Sequence, residues 1–71
     1  MEYTHHARDR MLERNVSDEE VQAAVDADPN PWEEVLRGEN HLRHFHNNVT
    51  VIRAKRSKVV VTVWRGERGS W

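Results

Sequence analysis

The chain has 71 residues, no cysteine and a formal net charge of −1. A body of this size buries only about 60% of the surface that its unfolded chain exposes, so it holds one modest core. The composition excludes disulfides and thiolate metal sites, and we find neither a signal peptide nor a run of roughly 18 apolar residues. We therefore expect a single cytoplasmic domain over residues 1–71 that does not contact a membrane.

The net charge hides a division between the two halves of the sequence. Residues 1–40 carry four arginines and eleven acidic side chains, whereas residues 41–71 carry seven lysines or arginines and one glutamate. Because local charge governs attraction to phosphates, the second half favours a surface that contacts nucleic acid. The alternative is that the two halves neutralise each other within one fold or between subunits.

Two helices are predicted at the N-terminal end. The first spans about Thr4 to Arg14 and ends at Asn15, a residue type that tolerates left-handed backbone. Ser17 and Glu20 have the spacing of a capping box. They predict a second helix that runs to about residue 27.

The first helix also carries a line of charged groups. His6, Arg10 and Arg14 follow one another at i, i+4 steps, so an imidazole and two guanidinium groups lie along one side, next to the apolar face. This spacing predicts a stripe that attracts anions at the border of the core.

Strands are predicted from residue 32 onward. Asn47 and Asn48 indicate a two-residue hairpin turn, because asparagine tolerates positive φ, and Gly38-Glu39-Asn40 is expected to break the chain before that hairpin. The first strand is a short edge strand or an irregular turn, whereas the last is dense in β-branched residues, which is typical of a sheet centre. The predicted strands and a polar tail span residues 32–37, 41–46, 49–54, 59–65 and 66–71.

The register decides which side chains share a face. A two-residue turn at Asn47-Asn48, with Ala54 opposite Val59, predicts one core face and one mixed face that lines a cleft or lies under a loop or a subunit. The predicted core face comprises Phe45, Thr50, Ile52, Ala54, Val59, Val61 and Val63. The predicted mixed face comprises His44, His46, Val49, Val51, Arg53, Val60, Thr62 and Trp64.

These elements predict an α+β domain in which two N-terminal helices pack on a three- to four-stranded antiparallel meander sheet. A meander of this length exposes at least one edge strand. The segment of residues 32–36, with Trp32 and Leu36, is expected to cover such an edge or to join a second subunit. This favours a homodimer.

Three motifs of the chain occur together in a known family: His6-Ala7 with Arg10-Met11 and Arg14, Val16-Ser17 with Val21, and the run from Val60 to Arg65. In these motifs the sequence resembles the small bacterial and phage proteins grouped as domain of unknown function 4258, which are similar to the RelE/ParE toxin superfamily. The family usually has glycine in place of Asn15 and tyrosine in place of Trp64. The resemblance implies a curled antiparallel sheet on N-terminal helices, metal-independent endoribonuclease or toxin activity in many members, and a cognate antitoxin as partner.

Cleavage of RNA in this manner needs a base for the 2′-hydroxyl, an acid for the leaving 5′-oxygen and cations for the phosphate charge. The resemblance implies that His6 supplies the acid or base and that arginines clamp the phosphate. The implied catalytic residues are His6, Arg10, Arg14 and Thr62. Nucleic-acid contacts are expected at Arg53, Lys55, Arg56, Lys58, Trp64 and Arg65.

Each of these assignments has an alternative. His6 and Arg10 are equally suited to tie the first helix to the last strand through backbone carbonyls. His44 and His46 share a strand face and resemble a chelating pair, but no acidic residue stands at a recognisable ligand spacing, so we predict neither a metal nor a cofactor.

Two classes of function therefore stay open: a toxin-type domain that acts on RNA, and a noncatalytic binding module for a protein or a nucleic acid. In the first case we expect His6, Arg10 and Thr62 to converge on one open, basic pocket.

Overall fold

The computed structural model describes residues 1–66, and it confirms the predicted α+β meander. Two helices precede an antiparallel sheet with the strand order β1-β2-β3-β4. Most of the predicted polar tail, including Trp71, lies outside the described residues. Within them, no helix has the length and apolar character needed to cross a membrane. The elements are α1 (His5–Arg14), α2 (Asp18–Ala27), β1 (Trp32–Leu36), β2 (Glu39–His46), β3 (Val49–Ala54) and β4 (Val60–Arg65).

Local side-chain chemistry sets the helix ends as the sequence predicts. The Thr4 hydroxyl accepts a hydrogen bond from the Ala7 amide at 3.0 Å and caps α1. Asn15 ends α1 in the left-handed region with φ of 54°. The capping box of α2 is complete, because the Ser17 hydroxyl accepts from the Glu20 amide and the Glu20 carboxylate accepts from the Ser17 amide, both at 3.1 Å.

Two tight turns shape the sheet. Asn47 and Asn48 both have positive φ, and His46 lies opposite Val49, which confirms the predicted hairpin turn and its register. Arg37 and Gly38 form a second turn of this kind, with φ of 53° and 79°. The predicted break over residues 38–40 is therefore too long, because Glu39 and Asn40 already belong to β2.

The predicted side-chain faces of β4 are wrong beyond Val60, and a β-bulge is the reason. Arg53 lies opposite Val60, but the next pair is Ile52 opposite Thr62, so Val61 is an extra residue in β4. One extra residue reverses the alternation of every side chain beyond it. Val63 therefore shares a face with Val51, and not with Ile52 as predicted.

The helices also cover the face that was predicted to be mixed. Val49 and Val51 pack with the apolar sides of both helices, and His44 is buried on the same face. The buried cluster consists of Ala7, Met11, Val16, Val21, Ala24, Val49, Val51, Val60 and Val63.

The opposite face is buried at its centre although neither α1 nor α2 covers it. Thr50, Ile52 and Thr62 are each at most 1% exposed. Leu36 of β1 and Val61 of β4 line one cavity even though these strands form the two opposite edges of the sheet. The sheet is therefore curled, and its concave side encloses these central residues.

The N-terminal segment and α1 cover the outer edge of β4. Tyr3 forms a parallel bridge with Val60, whose amide and carbonyl both bond to this segment at 2.9 and 3.0 Å. Further along the edge, the Thr4 hydroxyl donates to the Val61 carbonyl at 3.1 Å, and Arg14 Nη1 donates to the Val63 carbonyl at 2.9 Å. Side chains of α1 and its cap thus replace the missing neighbour strand.

This arrangement predicts different effects for the two arginines of the helical stripe. Arg14→Met leaves the Val63 carbonyl unpaired and should lower the free energy of unfolding by about 1 to 2 kcal/mol. Arg10 pairs with Glu13 at the surface of the same helix, so Arg10→Met should change it by less than about 0.5 kcal/mol. Urea unfolding of both variants measures the difference, and equal losses would contradict the capping role of Arg14.

Candidate functional site

A cavity of about 710 Å³ opens at one end of the curled sheet. It lies where the turn between β1 and β2, the bulge of β4 and the first turn of α1 come together. Two imidazoles, a guanidinium and a carboxylate reach it, together with apolar side chains. Its lining residues are Thr4, His6, Leu36, Arg37, Glu39, His41 and Val61.

His6 reaches this cavity because the start of α1 is fixed. Thr4 accepts from the Ala7 amide and donates to the carbonyl of the bulge residue Val61, so the first helical turn is bound to β4 on one side. His6 is exposed at the cavity rim. An exposed imidazole beside a cavity is accessible both to solvent protons and to a ligand.

His41 belongs to the wall of the same cavity. It is 6% exposed, and its Nδ1 atom lies 3.0 Å from the Glu39 carbonyl oxygen. A carbonyl only accepts hydrogen bonds, so Nδ1 carries a proton. The backbone of β2 thereby fixes the orientation of the imidazole.

The four predicted catalytic residues do not form one site. His6 lines the cavity, whereas Arg14 is bound to the edge of β4 and Arg10 pairs with Glu13. Thr62 is 1% exposed on the concave side of the sheet. The charged stripe of α1 runs along the border of the core. Its last member, Arg14, hydrogen-bonds to the edge of β4.

The predicted nucleic-acid contacts are also divided. Three of the cations are bound to other side chains: Arg53 donates to His44 at 3.1 Å, Lys55 to Glu33 at 2.7 Å, and Arg65 to both carboxylate oxygens of Glu20 at 2.9 and 3.0 Å. Trp64 is 2% exposed.

Arg56 and Lys58 are exposed. They belong to the turn between β3 and β4, which in a meander lies at the same end of the sheet as the turn between β1 and β2. These two cations therefore stand at the cavity end of the molecule.

Sequence reasoning missed Arg37, Glu39 and His41 as residues that line one cavity. Their common signal is the Arg37-Gly38 turn, which brings these side chains to one end of the sheet. The signal that assigns the turn is glycine at its second position, where φ is positive.

No resident metal site emerges from the geometry. Within residues 1–66, no group of three or more histidine, aspartate or glutamate side chains is arranged to hold a metal ion. Comparison with protein-family models, curated proteins and solved structures finds no match to this chain. The resemblance to RelE/ParE toxins therefore stays a prediction.

A second histidine, His44, is buried beneath α2 with its Nε2 atom accepting from Arg53 Nε. The other ring nitrogen, Nδ1, has no hydrogen-bond partner in the described part of the chain. Burial lowers the pKa of His44, and the charge of Arg53 lowers it further, against an opposing effect of Asp28. A proton on Nε2 would face the guanidinium, so His44 is held neutral.

This lowered pKa predicts a loss of stability on acidification. The unfolded chain binds a proton at His44 near the usual pKa of 6.5, whereas the folded chain binds it only at lower pH. The stabilising contribution is therefore complete above 6.5 and is lost as the pH falls through the folded pKa. His44→Gln keeps an acceptor for Arg53 but does not titrate, so its free energy of unfolding should fall less between about pH 7.5 and about pH 5.

Urea unfolding at both pH values measures this difference, with His46→Gln on the same strand as the exposed control. Glu20, whose pKa is lowered by its hydrogen bond to Arg65, titrates below this window and does not interfere. Identical pH dependence in the wild-type chain and His44→Gln would contradict the assignment.

Proposed function

We propose that this domain acts on RNA at the cavity end of its sheet, as a toxin-type endoribonuclease that uses no metal. The observation that carries the proposal is that two imidazoles, His6 and His41, line one cavity. His6 stands at the rim and His41 is fixed in the wall. An imidazole changes protonation state near neutral pH, so one pair can supply both proton transfers of RNA cleavage.

The two histidines are suited to different steps. His41, which the Glu39 carbonyl holds in the cavity wall, is assigned the role of accepting the proton of a ribose 2′-hydroxyl. His6, which is exposed to solvent, is suited to protonate the 5′-oxygen as it leaves. The 2′-oxygen attacks phosphorus, the bond to the 5′-oxygen breaks, and a 2′,3′-cyclic phosphate forms.

Cations at the same end support contact with the phosphate. Arg37 lines the cavity, and its planar guanidinium can donate two parallel hydrogen bonds to phosphate oxygens. Arg56 and Lys58 are exposed on the neighbouring turn and attract the RNA backbone. In this proposal Arg37 takes the clamping role that the resemblance implies for Arg10 and Arg14.

Incubation of the purified chain with RNA in the presence of a chelator tests the activity. We expect cleavage to 2′,3′-cyclic phosphate ends, and a loss of about 100-fold or more in rate for His6→Ala and for His41→Gln. His5→Ala is the matched control, because His5 precedes His6 in the same helical turn but does not line the cavity. Thermal melts establish that each variant is folded.

Expression in bacteria gives an independent readout, since a toxin-type ribonuclease arrests growth and His6→Ala should relieve the arrest. Intact RNA together with normal growth would overturn the catalytic proposal. An equal loss of activity in His5→Ala would show that the cavity is not the site of catalysis.

A noncatalytic binding module is the second candidate. It is favoured by Arg14 and Thr62, which are engaged in the fold and leave fewer groups for chemistry. In this case RNA should bind without cleavage and more weakly as salt rises, with a log-log slope that falls by about 0.7 for each cation removed. Arg56→Gln with Lys58→Gln should therefore reduce the slope by about 1.4 in fluorescence titrations. Binding that does not respond to salt would point to a protein partner instead.

A further inference from the structure

Large apolar side chains are exposed along β1 and beside it. Trp32 is 70% exposed, Val35 is 66% exposed, and Phe45 on the neighbouring strand is 42% exposed. Trp32 and Phe45 lie on the same face of the sheet, because Trp32 pairs with Arg43, two residues before Phe45. Apolar groups gathered at one border of a sheet mark an interaction surface.

The backbone of β1 is available at the same border. Within residues 1–66, β1 pairs only with β2. A two-residue turn makes Leu36 and Glu39 a hydrogen-bonded pair, so by alternation the amides and carbonyls of Glu33 and Val35 point away from β2. The other border of the sheet, at β4, is covered by the N-terminal segment and α1, so the described part of the chain covers one edge and leaves the other unpaired.

A cleft at the first residue of β1 indicates what this edge recognises. It has a volume of about 610 Å³, and Asp28 and Glu33 line it together with Trp32 and Phe45. The Glu33 carboxylate is bound to Lys55 at 2.7 Å, whereas the Asp28 carboxylate is fixed at the cleft because it accepts from the Phe45 amide at 3.3 Å. A carboxylate next to aromatic faces forms a site for a cationic side chain.

One positive group, Arg43, also lines the cleft. Its guanidinium lies over the Trp64 ring, 5.5 Å from the ring centroid. Trp32 and Phe45 lie on the same face of the sheet as Arg43, so this positive charge belongs to the cleft. Three carboxylates, those of Asp28, Glu33 and Glu34, stand at this border against the cations Arg43 and Lys55, so the border keeps a net negative charge.

We propose that β1 binds a basic, extended segment of a protein partner as a fifth strand. The partner backbone pairs with Glu33 and Val35, and a lysine or arginine of the partner enters the cleft beside Trp32. Backbone hydrogen bonds supply affinity in such strand addition, and the cleft supplies specificity. This surface begins at the opposite end of β1 from the cavity and does not depend on activity toward RNA.

A second copy of this chain fits the edge less well. Antiparallel pairing of two complete β1 strands places Glu34 opposite Glu34, and like charges in that position are destabilising. A register centred on Val35 avoids this repulsion but leaves Trp32 beyond the end of the paired segment. A basic partner strand satisfies the acidic groups and covers Trp32 at once.

The test uses a short acetylated peptide of alternating lysine and valine, with an alternating glutamate and valine peptide as its counterpart. We expect the basic peptide to slow amide hydrogen exchange at Glu33 and Val35 and to shift the Trp32 indole resonance, and the acidic peptide to do neither. Val35→Pro removes one outward amide and should weaken binding by about tenfold. Val35→Thr keeps that amide and should bind like the wild-type chain.

A charge variant keeps the test decisive if proline disturbs the strand. Glu34→Lys leaves the backbone unchanged and should reverse the preference, so that the acidic peptide binds more tightly. No protection with either peptide, equal binding of both, or an unchanged preference in Glu34→Lys would overturn the proposal. Protection of the same two amides on raising the protein concentration alone would overturn it in favour of a second copy.

Discussion

The outer edge of β4 is the constraint on which the other parts of the structure depend. The bulge at Val61 exposes a carbonyl that the Thr4 hydroxyl reaches, and two residues further along the Val63 carbonyl meets Arg14. These bonds hold α1 beside the sheet and not over its centre, which leaves room for α2 to pack on β2 and β3. The same bulge turns Val63 toward the helices, so one extra residue determines both the position of α1 and the composition of the core.

The C-terminal end of α1 is also bound to β4. Arg65 donates to the carbonyls of Arg14 and Asn15 at the helix C-terminus and to the Glu20 carboxylate at the start of α2. A cation at this position compensates the partial negative charge of the helix end. Hydrogen bonding to Arg65 lowers the pKa of Glu20, and hydrogen bonding to Glu20 raises the pKa of Arg65. One side chain thus joins both helices to β4.

Features governed by neighbouring residues could be predicted from the sequence. Asn15, the Ser17-Glu20 capping box and the Asn47-Asn48 turn each depend on contacts within a few positions, and the structure has all three. The bulge could not be predicted in this way. The registers of β4 with and without it have similar apolar patterns, and they differ only in which side chains pack against α1 and which fill the centre of the sheet. An error of one residue there exchanged the faces of the β4 side chains beyond Val61.

For the candidate site too, only the features set by local spacing could be predicted. Helical spacing correctly placed His6, Arg10 and Arg14 along the border of the core. Spacing carries no information about unpaired carbonyls elsewhere in the chain, so it did not reveal that Arg14 meets Val63. His41 and Arg37 could be associated with His6 only after the curl of the sheet was known, since they are distant from it in sequence and belong to β2 and to the turn before it.

The bond between Thr4 and Val61 joins residues 57 positions apart, which has a consequence for synthesis. Until residues 60–65 leave the ribosome, α1 cannot pack against β4. Its apolar side is then exposed to solvent or in contact with another molecule. The cavity shares this dependence, since its walls come from both ends of the described chain. A nascent chain therefore lacks the pocket until residues 60–65 have been synthesised, so any ligand of that pocket meets only the folded domain.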